Sequence, residues 1–453
     1  MGIDILTTLI APLGLLIWLA YRGLPVMVLA PLCAGLAALI AGDPVLATLT
    51  QRFMPALGQF VIAFFPLFLL GAIFGRLMEV TGAATAIAEA IIRALGTERA
   101  ILAVVLACAI LTYGGVSLFV VAFAVFPLAM ALFSAAKLPM QLIPAAIALG
   151  AFTFTMTALP GTPAIQNAIP MAYFGTNLYA APGLGVLAAV IMFGGGLAYC
   201  GWAARRMVPL YPDWGTRLEQ RAEAAPLGAS LLPIATVLAL NLVLVMLVFP
   251  RLDLTFLADP RWGGIEADTI TGVWALIVSL SAAIVLLCIL LRTRLAEGWA
   301  EVGRGAEAAL GPLFNTASLV GFGAVIAALP AFDALREAID AVPGGPVIGL
   351  ALSAAILAGI TGSASGGMTI ALDTLGAEYL EAGQAQGVAP GVLHRVTALA
   401  TGGLDALPHN GAVVTLLNIS GFSHRQAYGP IFVVAVVIPT VALAIVLLVD
   451  GLM

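Results

Sequence analysis

Apolar residues run along this chain in blocks of about twenty, the length at which an α-helix spans the hydrocarbon of a bilayer, and polar residues collect in short stretches between them. The blocks predict spanning helices over residues 4–21, 24–42, 58–78, 183–204, 229–249, 269–291, 311–330 and 429–450. Barrel strands would alternate polar and apolar positions, so the pattern favours a polytopic helical bundle. Two more stretches, 100–180 and 346–420, are apolar but punctuated. In the first, Lys137 is the only charge between Ile101 and Ala204, yet Tyr113-Gly114-Gly115, Pro127, Pro139, Pro144 and Leu159-Pro160-Gly161-Thr162-Pro163 interrupt it. Backbone that leaves the helix at membrane depth needs protein or a watery cavity to satisfy its freed N–H and C=O groups.

The second stretch repeats the first. Ala158-Leu159-Pro160 recurs as Ala406-Leu407-Pro408, Thr112 as Thr361, and Glu89-Ala90-Ile91 as Glu337-Ala338-Ile339, in the same order and at offsets of 248 or 249. Each copy reads as a span, an amphipathic segment (82–95; 333–342), a Gly/Ser bend between two apolar arms, and a helix broken at Leu-Pro. The layout is then N-terminal spans over 1–57, a first repeat over 58–204 (hairpin near 100–136, broken helix near 141–175), a cytoplasmic loop at 205–228, and linking spans with an amphipathic segment over 229–310. A second repeat fills 311–453, with its hairpin near 346–382, its broken helix near 392–420 and a last span.

Basic residues accumulate in cytoplasmic loops. Arg205, Arg206, Arg217 and Arg221 share one loop, and Arg292, Arg294 and Arg304 another. Placing both inside sends span 311–330 outward, whereas Arg22 inside sends span 58–78 inward, towards Arg76 and Arg93. Equivalent spans of the two copies therefore point in opposite directions. An inverted repeat with broken helices in matching positions is a pattern of secondary transporters, whose substrate site lies near the midplane between the copies.

Composition agrees with the pattern. The AVILMFWYC set makes up 62% of the 453 residues, charged residues 9%, and the mean hydropathy is +1.12, too little charge to cover a water-facing surface. Soluble enzymes, nucleic-acid binders and single-span receptors are excluded. The net charge of −5 includes no run of like charges that would draw a nucleic acid or acidic partner. Cys33, Cys108, Cys200 and Cys288 are isolated in apolar stretches and read as core residues, so no metal or redox site is expected. Met1 to Tyr21 lacks a basic leader region and reads as a retained first span. No nucleotide-binding loop or paired catalytic carboxylates occur, and no cofactor is implied.

The bends are Leu111-Thr112-Tyr113-Gly114-Gly115-Val116-Ser117 and Ile360-Thr361-Gly362-Ser363-Ala364-Ser365-Gly366-Gly367. Two apolar arms meeting at such a tip make a re-entrant hairpin, with N–H groups free at the start of the returning arm, where anions are attracted. The breaks carry Gly161, Thr162, Gln166 and Asn167 in one copy, and Asp405, His409, Asn410 and Thr415 in the other. Proline removes a helical hydrogen bond and clashes with the preceding turn, so a new half-helix starts at each. A substrate carboxylate is expected among Thr112, Gly114, Gly115, Ser117, Gly161, Thr162, Gln166, Asn167, Thr361, Gly362, Ser363, Ser365, Gly366, His409, Asn410 and Thr415. No arginine lies in these segments, so the positive ends of half-helices would supply the charge.

Asp405 is an ionisable group in an apolar region and so a functional candidate. It could take a proton, coordinate Na⁺ or cap the half-helix that follows, with His409 as a partner for a proton. His394 and His424, beside Arg395 and Arg425, read as interface residues at span ends, and Asp373 and Glu378 as water-facing residues at a hairpin base.

The run Gly402-Gly403-Leu404-Asp405-Ala406-Leu407-Pro408-His409-Asn410-Gly411-Ala412-Val413-Val414-Thr415 resembles the signature of the gluconate permease family, a branch of the ion transporter superfamily. Leu111-Thr112-Tyr113-Gly114-Gly115-Val116-Ser117-Leu118-Phe119-Val120, which lacks an acid, is more similar to the branch of hydroxybutyrate-type permeases. The resemblance covers nearly the whole chain. It implies proton-coupled uptake of a small hydroxylated carboxylate, a homodimer, and elevator motion of a transport domain against a scaffold; the setting expected is a bacterial inner membrane, with Na⁺ the alternative to H⁺ as coupling ion. The expected fold is an all-α polytopic inverted-repeat bundle with two re-entrant hairpins and two broken helices. An uncoupled anion facilitator or channel is the alternative, and a membrane-embedded enzyme a distant one.

Overall fold

A computed structural model describes residues 7, 11–22, 24–116, 118–210, 223–262, 264, 265, 267–295, 298–330, 332, 344–408 and 410–451. Among the described residues every regular element is helical and no strand occurs. Seven of these helices are long and apolar enough to cross a membrane, and a bent pair, Ala83–Leu95 with Thr97–Tyr113 at 104°, makes an eighth if counted as one span.

The first repeat comprises α1 (Met54–Val80), α2 (Ala83–Leu95), the hairpin arms α3 (Ala100–Tyr113) and α4 (Leu118–Ala135), then α5 (Ile143–Ala151), α6 (Phe154–Thr157), α7 (Ile165–Phe174) and α8 (Pro182–Ala204). Two linking spans follow, α9 (Leu227–Val243) and α10 (Ala267–Leu290). The second repeat comprises α11 (Trp299–Ala327), the hairpin arms α12 (Gly345–Thr361), α13 (Ala364–Ala371) and α14 (Ala377–Ala385), the broken pair α15 (Pro390–Leu404) and α16 (Gly411–Ser420), then α17 (His424–Phe432) and α18 (Ile438–Asp450). The element order is that of the first repeat. The amphipathic segment expected at 333–342 lies outside the described residues.

The copies are inverted. Helices α1 and α11 occupy the same place in the two repeats and pack antiparallel: Phe53, at the start of α1, lies against Gly321, and Ile73 and Arg76, near its end, lie against Gly305. A Cβ on Gly305 would come within 2.8 Å of Ile73 Cα, so the absence of a side chain sets this close approach. At the tips, Gly115 (φ +89°) and Gly362 (φ +60°) adopt the left-handed backbone that glycine tolerates.

The hairpins open to opposite faces. At the base of the first, Gln141 exchanges bonds with the Val208 carbonyl and the Leu210 N–H, just past Arg205 and Arg206. Along the second, Asp373 accepts from the Tyr173 hydroxyl at 2.5 Å, beside Thr176 and Asn177 at the other end of α8. Arg294 donates to the Glu223 carbonyl, so the two arginine-bearing loops share one face.

Burial separates inner from outer helices. The broken helix of the first repeat is innermost: Met140–Thr157 has 89% of its most apolar stretch buried, against 22% for Leu227–Arg251. The sequence pattern reads this segment as irregular, yet it is long and apolar enough to count as a span. Leu39, Ile62, Val190, Val285, Ile289 and Leu448 are exposed on outer helices, where only lipid can solvate a belt of large apolar side chains.

Candidate functional site

Each hairpin tip is bonded to the break of its own repeat. In the first, the Tyr113 hydroxyl donates to the Pro160 carbonyl at 2.7 Å, and Gly115 backs onto the Pro163 ring. In the second, Asn410 Nδ2 donates to the Gly362 carbonyl at 3.0 Å. The repeats then interlock. Half-helix α7 packs against α13 and α15 of the second copy, and α16 packs against α4 of the first. A Cβ on Gly402 would meet Thr157 Cγ2 at 2.6 Å, which holds the two breaks side by side. Most of the predicted site residues thus come together at the core of the fold. Ser117 and His409 lie outside the described residues.

The half-helix starts differ in how their N–H groups are used. Ser363 Oγ accepts from the Gly366 N–H at 3.1 Å, closing the start of α13. Asn410 Oδ1 accepts from Ala412 and Val413 at 2.6 and 2.9 Å, closing the start of α16. Helix α7 begins after Ala164, which has no capping side chain. Thr162 Oγ1 takes only the Ala164 N–H, at 3.4 Å. The N–H groups of Ile165 and Gln166 therefore point out of the helix without a side-chain cap, at its positive end.

Side-chain accounting marks the same place. Thr361 and Thr415 donate back to the carbonyls of Leu357 and Gly411, both at 2.8 Å. Ser365 Oγ lies 3.4 Å from Ser363 Oγ and 3.5 Å from Thr316 Oγ1. Asn167 Nδ2 donates to the carbonyls of Thr162 and Leu178. Gly161 (φ +84°) and Gly114 are hemmed in by Tyr179 and Ile234 respectively, leaving no room for a side chain. By contrast, Thr112 Oγ1 and Gln166 Oε1 are buried with no hydrogen-bond partner. Buried polar atoms in native proteins are nearly always paired, so two orphans at the first tip and the first break mark a place for a polar guest. Asn241 on α9, which the sequence reading passed over, is the other such orphan among the described residues.

Asp405 follows α15, and its N–H and that of Ala406 both go to the Gly403 carbonyl. It forms no ion pair among the described residues. His424 opens the span His424–Asp450, as read, and its Nε2 lies 2.9 Å from the Pro408 carbonyl, so that it also borders the second break. Asp373 and Glu378 are exposed, as read.

The largest departure from the sequence reading is His394-Arg395. Both are fully buried, not interfacial. Arg395 donates from Nε and Nη2 to the Ala180 carbonyl at 3.1 and 3.0 Å, from Nη1 to Thr157 at 3.1 Å, and from Nη2 to Leu178 at 3.3 Å. It thereby satisfies the Thr157 carbonyl freed where α6 ends before Pro160 and ties it to two carbonyls of the connection between α7 and α8. An arginine does reach the first break, from a helix of the other repeat. His394 joins Thr176 Oγ1 at 2.6 Å to Asn167 Oδ1 at 3.1 Å. The rule that singled out Asp405, an ionisable group inside an apolar helix, applies to this pair too.

No protein-family model matches the chain. The chain is 41% identical to an uncharacterized transporter, YxjC, of Bacillus subtilis (strain 168), over 453 residues that cover 95% of this chain and 96% of that one. Among solved structures it is similar to the YdaH transporter of Alcanivorax borkumensis, with a TM-score of 0.55, 16% identity, and 87% and 86% of the two chains covered, which is a likeness of fold. With interlocked broken helices of this kind and a full-length relative at that identity, the chain belongs to the membrane-transporter family that includes YxjC.

Proposed function

We propose that this transporter takes up a small hydroxy-monocarboxylate by proton symport, in the manner of the hydroxybutyrate-type branch of the gluconate permeases, with Na⁺ the alternative coupling ion. The observation that carries the reading is the uncapped start of α7, where Gln166 Oε1 is buried and unpartnered, together with the unpartnered Thr112 Oγ1 at the hairpin tip that is bonded to the same break. The open N–H groups and partial positive charge of that start suit a carboxylate. Thr112 Oγ1 can donate to the second carboxylate oxygen, and Gln166 Oε1, an acceptor, suits the substrate's hydroxyl; an anion that finds no donors in a dry pocket stays in water. Asp405, with His409, is the group that carries the coupling proton. The hairpins and breaks move together as the transport domain of an elevator, against a scaffold of the remaining spans. The setting is a bacterial inner membrane and the assembly a homodimer.

Proteoliposomes given labelled 3-hydroxybutyrate or gluconate test this. Accumulation above the outside concentration under an acid-outside gradient, collapsed by a protonophore, is the expected result. Equilibration without accumulation would make the protein a facilitator, and turnover of either acid to a product would make it an enzyme.

A further inference from the structure

A cavity of about 830 Å³ opens on the face opposite the arginine-bearing loops, between the end of α7 and the loop joining α9 to α10. Thr176 lines it, with Phe249, Asp253, Thr255, Thr271 and Gly272. Behind Thr176 the polar atoms form a line into the first break: Thr176 Oγ1, the His394 ring, Asn167, and the Thr162 carbonyl.

The protons along this line are fixed by elimination. Asn167 Nδ2 faces two carbonyls, those of Thr162 at 3.0 Å and Leu178 at 2.9 Å, so it is the donor and Oδ1 the acceptor. His394 Nε2, 3.1 Å from Oδ1, must then carry a hydrogen. In a neutral ring Nδ1 accepts from the Thr176 hydroxyl. A hydroxyl can turn round, so the same contact also serves a ring protonated at Nδ1, with Thr176 Oγ1 as acceptor. Both charge states leave every polar atom of the line paired. Arg395 is the charge beside the ring; its donors are committed to carbonyls, but it stays a cation and opposes a second proton on the ring. Among the described residues, Tyr173, Glu381 and Asp450, on elements packed against α15, are not hydrogen-bond partners of His394, whose ring meets Thr176 and Asn167.

We propose that His394 is a proton-binding site served from this cavity through the Thr176 hydroxyl, and that a proton there and an anion at the start of α7 favour one another. Asn167 is the third residue of α7, so a charged ring stands one hydrogen bond behind the open N–H groups. In a poorly screened interior that charge adds to the helix's positive end, and by reciprocity the anion strengthens proton binding equally. The linkage rests on the carboxylate reading above; the proton site stands on the Thr176–His394–Asn167 geometry alone.

The chain has three histidines, so ¹⁵N-histidine NMR of the full-length protein in nanodiscs resolves them, and His394→Gln assigns the signal. Expected near pH 8 is a neutral ring protonated on Nε2, which gains a second proton on Nδ1 on acidification, later than a water-exposed histidine because the ring is buried and Arg395 stands beside it. Thr176→Val should hold the ring neutral over the same titration, while Thr176→Ser titrates as wild type. A wild-type ring still neutral at the acid end of the titration overturns the proton site, and a Thr176→Val ring that titrates as wild type overturns the route. In protein that takes up 3-hydroxybutyrate, adding this acid should raise the midpoint, and an unmoved midpoint refutes the linkage. Failure to take up any hydroxy acid sinks the carboxylate reading and leaves the substrate-free titration standing.

Discussion

Arg76 Nε and Glu301 Oε2 meet at 2.9 Å across the two repeats, joining the C-terminal part of α1 to the first turn of α11. Two helices in equivalent repeat positions can meet end to start in this way only if one copy is turned over. Arg304 adds a second cation to Glu301, and Glu79 a second anion to Arg76. The cluster is partly exposed and its contribution to stability is accordingly modest, about 1 kcal/mol or less per pair.

The inversion predicts labelling from two sides. Lys137→Cys, at the base of the first hairpin, should react with a membrane-impermeant maleimide only in inside-out vesicles, and Glu381→Cys, on the second, only in right-side-out vesicles. Both residues belong to exposed turns or helix faces, so the substitutions cost little. Reaction of both from the same side would contradict the antiparallel packing of α1 and α11.

Thr112 and Thr415 separate two roles that look alike in the sequence. The Thr415 hydroxyl is occupied by the Gly411 carbonyl, while Thr112 Oγ1 is buried and idle. Thr112→Val should leave the melting temperature of the empty protein unchanged or slightly raised, and should raise the apparent KM for the transported acid roughly 10- to 150-fold, for a lost hydrogen bond to a charged group worth about 1.5–3 kcal/mol. Thr415→Val should move KM by less than about threefold. Equal effects on KM would show that the free hydroxyl is not a ligand.

The order of elements, the two hairpins and the two breaks were legible from the sequence because each is written locally. Apolar blocks near twenty residues make spans, Gly-Gly makes a tip, and Leu-Pro makes a break. The polar account is not local. Ser363 and Asn410 read as ligands, yet they are spent on their own half-helix starts, and which of several threonines stays idle is decided by neighbours far along the chain. Arg395 shows the same limit. Its bonds to Thr157, Leu178 and Ala180 bridge more than two hundred positions, so the reading that no arginine touches the breaks was true of the segments and untrue of the space between them.

Asp405 has no cation beside it among the described residues, and it stands where α15 ends at the second break. Asp405→Asn keeps the shape and removes the proton-carrying group. Concentrative uptake under an imposed pH gradient should fall to the no-gradient level, while exchange of labelled for unlabelled acid persists. Counterflow measured alongside gradient-driven uptake in the same vesicles checks this. If the variant still accumulates substrate against its gradient, Asp405 does not carry the coupling proton.

Arg395 holds the first break in shape, and its replacement should be felt as folding and not as affinity. The Leu178 carbonyl has other donors, the Gly161 N–H at 2.8 Å and Asn167 Nδ2 at 2.9 Å, so losing the guanidinium leaves two carbonyls, Thr157 and Ala180, to go unpaired. At ~1–3 kcal/mol for each buried group left unsatisfied, Arg395→Ala should cost roughly 2–6 kcal/mol, a large part of the ~5–15 kcal/mol by which proteins of ordinary stability persist. Arg395→Lys keeps the charge but replaces a planar fork by a single ammonium on a flexible stem, which cannot serve Thr157 and Ala180 in the same geometry, so it should fall between the two. Fluorescence-detected size-exclusion chromatography after graded heating reads the order directly: wild type highest, lysine intermediate, alanine lowest or absent. An alanine variant that melts with the wild type yet loses uptake would make Arg395 a ligand for the substrate in place of a support for the break.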